Sequence, residues 1–175
     1  MKIYLTSDHH FGHSNILKFT GLDGNLIRPN FKDVNEMNQY MIDQWNSVVK
    51  PEDHVWHLGD VCMSGHFLPI IAKLNGHKRL ILGNHDKEDV GKYRKAGFQK
   101  IRGSNMNSGV LMTHFPVHPA HFGKAKVNAH GHIHERCSPK GSYVNVSVER
   151  WDYKPISIEQ VLEERIKYEN QGKCD

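Results

Sequence analysis

Seven short β-branched or aliphatic runs set the strongest limit on how this chain can fold. They lie at about 2–6, 54–58, 78–82, 109–113, 126–130, 143–147 and 155–158, each long enough for a strand and too short for a helix. Segments with helical spacing fall between them. The clearest begins at Asp33, where Asp33-Val34-Asn35-Glu36 makes a capping box with Asp as the cap. Val34, Met37, Met41, Trp45 and Val48 then repeat at three- or four-residue steps and should face a core. Further helices are expected at 66–74, 88–96 and 158–170, the last ending before Gly172. Such alternation argues for an α/β domain. With no repeat, low-complexity tract or long linker, residues 1–175 read as a single unit.

In open α/β sheets, ligands bind beyond the carboxyl ends of the strands, so the residues that follow each run carry the functional signal. Five runs are followed by metal-capable side chains: Asp8-His9-His10, Gly59-Asp60, Gly83-Asn84-His85-Asp86, Thr113-His114 and His130-Gly131-His132-Ile133-His134. Scattered surface histidines would rarely fall this way, although the chain has 14 of them. Carboxylate, imidazole and amide oxygen without thiolate suit divalent ions such as Mn, Fe, Zn, Ni or Mg. Two such ions about 3.5–4 Å apart, sharing one carboxylate, can clamp a phosphate for cleavage. The spacings Asp8-x-His10 and His132-x-His134 send both side chains of each pair in one direction if the backbone there is extended.

These blocks, in this order, resemble the calcineurin-like metallophosphoesterases, whose pattern is D-x-H, GD, GNH[DE], H and GHxH. They span residues 8 to 134, about three-quarters of the chain. Val144-Asn145-Val146 and Trp151-Asp152-Tyr153-Lys154-Pro155 also look like small bacterial and phage members. The resemblance implies two facing mixed β-sheets flanked by helices, the α/β/β/α metallophosphoesterase sandwich. It also implies two divalent metal ions, manganese first, with Fe, Ni, Zn or Mg as alternatives. One ion would be held by Asp8, His10 and His134 and the second by Asn84, His114 and His132, with Asp60 bridging. His85 would contact the phosphate and protonate or stabilise the departing alkoxide, work that suits an imidazole. Asp86 would either orient that ring or cap the following helix. Gly59, Gly83 and Gly131 would let backbone approach the site closely or adopt positive φ.

The implied activity is that of a dinuclear metal-dependent hydrolase: hydroxide supplied by the ions attacks phosphorus, without a covalent enzyme intermediate. Departures from family patterns narrow the substrate. The GD-x-x-DRG block of protein serine/threonine phosphatases is absent, since Gly59-Asp60 continues as Val61-Cys62-Met63-Ser64-Gly65. Members cleaving lipid A precursors commonly carry Arg where His85 stands, and Asp86 in place of Glu looks like bacterial phosphodiesterases. The gaps between blocks leave no room for a capping domain. A phosphodiesterase acting on small aryl or nucleotide esters, cyclic nucleotides included, is therefore expected. A phosphomonoesterase, a nuclease or a non-catalytic protein-binding scaffold is the alternative, the scaffold being disfavoured because His85 and all seven ligands are present.

Plainer readings hold for the remaining residues. His54, His57, His66, His77, His118 and His121 match no motif position and are expected as surface, turn or core residues, whereas His9, His13 and His130 adjoin ligands and could support them or touch substrate. Cys62 reads as packing, as do Trp45 and Trp56. The three cysteines, with no C-x-x-C pair, are expected to be reduced. No apolar stretch approaches the ~20 residues of a membrane helix, and the N-terminus does not resemble a signal peptide, so a cytoplasmic location is expected. The net charge is +4, with nine Lys or Arg against three Asp or Glu between Lys73 and Arg102. That stretch could attract phosphates or nucleic acid, but no aromatic interleaving or binding motif supports the latter. Oligomeric state is not readable.

Overall fold

The computed structural model describes residues 1–171, with side chains through 166; Gly172 and Cys174 lie outside the described residues. The strands are β1 (Ile3–Thr6), β2 (His54–His57), β3 (His77–Ile81), β4 (Lys100–Arg102), β5 (Asn105–Asn107), β6 (Val110–Met112), β7 (Val127–His130), β8 (Tyr143–Asn145) and β9 (Ile156–Ser157). The α-helices are α1 (Val34–Val48), α2 (Val90–Ala96) and α3 (Ile158–Gln171). All seven expected runs form strands. The short strands β4 and β5 were not foreseen, because Lys100-Ile101-Arg102 and Asn105-Met106-Asn107 each carry a single apolar residue. The segment expected as a helix at 66–74 is a 3₁₀ helix, Gly65–Lys73, with Pro69 inside. Proline lacks the N–H an α-helix would use there and crowds the preceding turn.

At the start of α1, Asp33 accepts hydrogen bonds from the backbone N–H groups of Asn35 and Glu36, satisfying donors that a helix start leaves open. Glu36 does not complete the capping box as expected. It accepts from Lys32 N instead of Asp33 N, one residue earlier.

Two mixed sheets result, ordered β4-β3-β2-β1-β9 and β5-β6-β7-β8. Within the first, β1 to β4 are parallel; within the second, β6 to β8 are parallel. Alternation along the strands decides what each face meets. Tyr4, Val55 and Leu80 join Met37, Met41 and Trp45 of α1 in one core. Their neighbours Leu5, Trp56 and Ile81 join Val110, Met112, Val127, Ala129 and Val144 of the second sheet in another. The first sheet therefore lies between helices and the second sheet, while Ile158 and Val161 of α3 close the inter-sheet core. Trp45 is fully buried, and truncating it to Ala would cost about 3–5 kcal/mol. No helix among the described residues is long and apolar enough to cross a membrane.

The sheets are joined where β1 and β8 end: Ser7 N donates to Val146 O, and Val148 N to Ser7 O. The carboxyl ends of the parallel strands of both sheets consequently open onto one edge.

Candidate metal centre

Two groups of side chains on that edge could hold metal ions. Asp8, His10 and His134 form one and Asp60, His114 and His132 the other, the potential ligand atoms in each lying within 4.8 Å of one another. Asn84 joins the second group, its Oδ1 being 2.9 Å from His114 Nε2. All seven expected ligands are therefore brought together. Asp60 lies between the groups, with Oδ2 3.5 Å from Nε2 of both His10 and His114. Two atoms about 2.1 Å from one ion, at roughly 90–110°, would stand roughly 3.0–3.4 Å apart, close to these separations. The donor set also fits an ion through what it lacks. Asp8 Oδ1 and both ring nitrogens of His10 are buried without a hydrogen-bond partner, an arrangement native proteins rarely leave uncompensated.

Convergence is achieved by a different backbone route from the extended one expected. Asp8, His10, Asp60, His132 and His134 all have positive φ, between 49° and 72°. The left-handed region is sparsely occupied by side-chain-bearing residues and costs of order 1–3 kcal/mol each. Left-handed residues fold the chain back after β1, β2 and β7, so alternating positions still reach one centre without extended backbone. At Gly59 (φ +99°) an added Cβ would lie 2.6 Å from His114 Nδ1. Gly83 and Gly131 do not need positive φ; a Cβ there would collide with Asp60 Oδ1 and with Asp8 Oδ2 respectively.

A layer of hydrogen bonds orients the ligands. His114 Nδ1 lies 2.8 Å from Leu58 O and His134 Nδ1 2.9 Å from Glu149 Oε1. Both acceptors require an N–H, which leaves Nε2 of each ring to face the centre. Glu149 in turn accepts from Arg28 Nε (3.0 Å) and Nη2 (2.6 Å), and Arg28 also donates to Asp8 O and His9 O. Burial alone would raise the Glu149 carboxyl, but the Arg28 charge and the His134 N–H hold it at about 2. Burial pulls the His10 imidazole down to about 2, keeping it neutral. His114 is pushed upward, burial being outweighed mainly by Asp60. Asp8 Oδ2 accepts from His132 N and Ser147 Oγ, and Asn145 Nδ2 donates to His134 O.

Arg28, Ser147 and Glu149 were missed by sequence reasoning, and Asn145 entered it only within Val144-Asn145-Val146, without a role. Asn145, the last residue of β8, and Ser147 and Glu149 at alternate positions beyond it mark a sixth strand end that could have been read. Arg28 carries no comparable signal.

Asp86 takes neither expected role. Its carboxylate accepts from Asp60 N (2.8 Å), Gly83 N (2.9 Å) and Val61 N (3.0 Å), and the N-cap of α2 is Asp89. It is a strap between the loops carrying Asp60 and Asn84, its oxygens already occupied by backbone N–H donors. His85 stands outside both groups, its ring edge-on to His10 at 5.3 Å between centroids. Its backbone N–H binds Asp60 Oδ1, turning Oδ2 toward His10 and His114.

Of the adjoining histidines, only His13 faces this site, edge-on to His10 at 5.8 Å. His9 turns into the core, where its Nδ1 pairs with His57 Nε2 at 2.9 Å. His130 bonds Gly131 O and Ser138 Oγ. His57 is buried, His54 half-buried, and His66, His77, His118 and His121 are exposed. Cys62 is a free buried thiol that burial pushes up to about 12. In the basic stretch, Lys78 binds the carbonyls of Leu74 and Gly76 and Arg79 lies over Trp56.

No family model matches the chain. Over 171 residues it is 34% identical to the uncharacterized protein MJ1445 of Methanocaldococcus jannaschii, covering 92% of this chain and 89% of that protein. The chain belongs to the MJ1445 family. Part of the chain also matches phage proteins: the Gene 66 protein of Mycobacterium phage L5 is 39% identical over 88 residues, 47% of this chain and 39% of its own length. Among solved structures, the protein of unknown function AQ665 from Aquifex aeolicus is similar with a TM-score of 0.66 and 25% identity. The match covers 93% of this MJ1445-family chain and 98% of the Aquifex chain.

Proposed function

We propose that the chain is a dinuclear metal-dependent phosphoesterase of the calcineurin-like type, with the corresponding α/β/β/α sandwich, cleaving small aryl or nucleotide phosphodiesters. The observation that carries this reading is the carboxylate of Asp60, placed at equal distance from an imidazole of each ligand group. Asp8, His10 and His134 would hold one ion, Asn84, His114 and His132 the second, and Asp60 both. Two divalent ions there, manganese first, would neutralise phosphate charge and lower the pKa of an attacking water.

The chain's own residues supply the rest. His85 is free of both ligand groups and adjoins His10, which suits it to give a proton to the leaving oxygen. Asp86 and Gly83 fix the loop that presents it. His13, on the same side, is placed to touch a substrate oxygen. Metal analysis of the purified protein, coupled to hydrolysis of a bis-aryl diester and its monoester with Mn, Ni and Mg, tests the reading. Asp60→Asn should abolish hydrolysis, and His85→Ala should cost about 10²–10⁴-fold in rate with two ions still bound. Wild-type turnover in either variant would remove the assignment, and faster cleavage of the monoester would favour a phosphomonoesterase.

A further inference from the structure

A hollow of about 340 Å³ opens directly beside His114, lined chiefly by Leu82, Gly103, Leu111, Phe115 and Val117. Its size is near the lower end of small-molecule pockets, enough for one flat ring system. Three observations bear on what it takes. First, Leu111, Phe115 and Val117 of its apolar lining pack into neither core, Leu82 alone adjoining the first. Along β6, Val110 and Met112 are buried in the inter-sheet core while Leu111 between them stays half-buried on the other face, and Phe115 is 46% exposed. Second, the exposed Phe115 ring is fixed against the candidate ligands, its centroid 4.8 Å from that of His114 and 4.4 Å from that of His132. Its backbone carbonyl accepts from Thr113 Oγ1 at 2.6 Å. A half-exposed aromatic ring locked in place offers a surface on which another ring can pack. Third, the hollow shares His114 with the candidate metal centre, so the two adjoin.

Resting on the phosphoesterase reading, we infer that this hollow receives a flat aromatic substituent of the phosphoester, a nucleobase or a phenolic ring. Esters carrying such a group are then preferred over alkyl phosphoesters of the same charge, and Phe115 and Leu111 set that preference.

Gly103 provides the test. It lines the hollow, its φ is not in the left-handed region, and nothing lies within 4 Å of the Cβ it would carry, so Gly103→Phe adds a bulky ring at the wall of the hollow without backbone strain. The probes are methylphosphonate and 1-naphthylmethylphosphonate, which cannot be hydrolysed, titrated calorimetrically into Mn-loaded protein. A nucleoside monophosphate against ribose 5-phosphate distinguishes a base from a phenolic ring. The expected result is at least about tenfold tighter binding of the naphthyl probe. That preference should be lost in Gly103→Phe and reduced in Leu111→Asn, while methylphosphonate binds both variants as it binds wild type. Equal binding of the two phosphonates to wild type, or a preference that survives both variants, overturns the inference and leaves the phosphoesterase reading intact. Failure of both probes to bind, with no ester cleaved, instead removes the phosphoesterase reading and the inference with it.

Discussion

Replacing Arg28 by Met should damage this protein more than any surface charge change, and the size of the effect follows from its surroundings. Arg28 is fully buried. Its guanidinium makes two hydrogen bonds to Glu149 and one each to the carbonyls of Asp8 and His9. Methionine fills much of the same volume beside Met37 and Met41, which already adjoin Arg28 Nη1, so a cavity is not the main loss. The main loss is the Glu149 carboxylate, 3% exposed, left with His134 as its partner. Breaking a buried pair by removing one member costs about 3–5 kcal/mol. For a chain of this length, at about 2–4 °C per kcal/mol, the midpoint of thermal unfolding should fall by roughly 6–20 °C. Urea unfolding of the metal-free protein measures the cost directly. In the double variant Arg28→Met with Glu149→Met, the carboxylate is gone as well, and the destabilisation should be smaller than the sum of the singles by more than about 1 kcal/mol. A single-variant cost under about 1 kcal/mol, or full additivity in the double, would refute the claim that these two charges hold each other inside the fold.

Glu149→Gln in an otherwise intact chain should weaken ion binding about 10–100-fold, because the amide orients the His134 ring less firmly; equilibrium dialysis with Mn checks this, and unchanged affinity would contradict it. Gly131→Ala should disturb Asp8 before Asp60, since the added methyl meets Asp8 Oδ2, so the proposed stoichiometry of two ions should fall toward one; full retention of both would contradict the steric argument. Adding Mn to metal-free protein at about 100 times its dissociation constant should stabilise folding by about 2.7 kcal/mol per ion, seen as a raised unfolding midpoint, and no shift would contradict a metal site at these residues. Asp33→Ala should cost about 1 kcal/mol of stability through the lost α1 cap and leave ion binding unchanged, since Asp33 is outside the ligand network.

The strand ends were legible because a polar, metal-capable set after an apolar run is a pattern in one dimension. Asp8, Asp60, Asn84, His114 and His132 could be located that way, and the core-facing residues of α1 followed from helical spacing. Asp86 was legible as a neighbour of the site and not in its function, because its partners Asp60 N and Val61 N lie about two dozen residues back in the chain. Arg28 and Glu149 are 121 residues apart, and nothing in the surroundings of either names the other. The polar strands β4 and β5 were hidden for a different reason. They lie at the ends of their sheets, where only one side is paired and little apolar surface is required.

The left-handed ligands raise the question of what holds them in place, since each residue in that region is under strain. The backbone supplies an answer that does not depend on an ion. Asp8 N donates to Gly59 O and His10 N to Asp60 O, tying the first ligand loop to the bridging one, while Gly131 N donates to His114 O. The side chains of Asp86 and Asp60 then bind the amides of the Asn84 loop. Loops distant in sequence are thus cross-linked pairwise, and the two ligand groups cannot separate without breaking bonds that are shielded from water. Strain of this kind is stable only when several such bonds fix the same residue, as they do at Asp8 and Asp60. An ion binding here would meet ligands already arranged, so little of its binding free energy would be spent on ordering the loops.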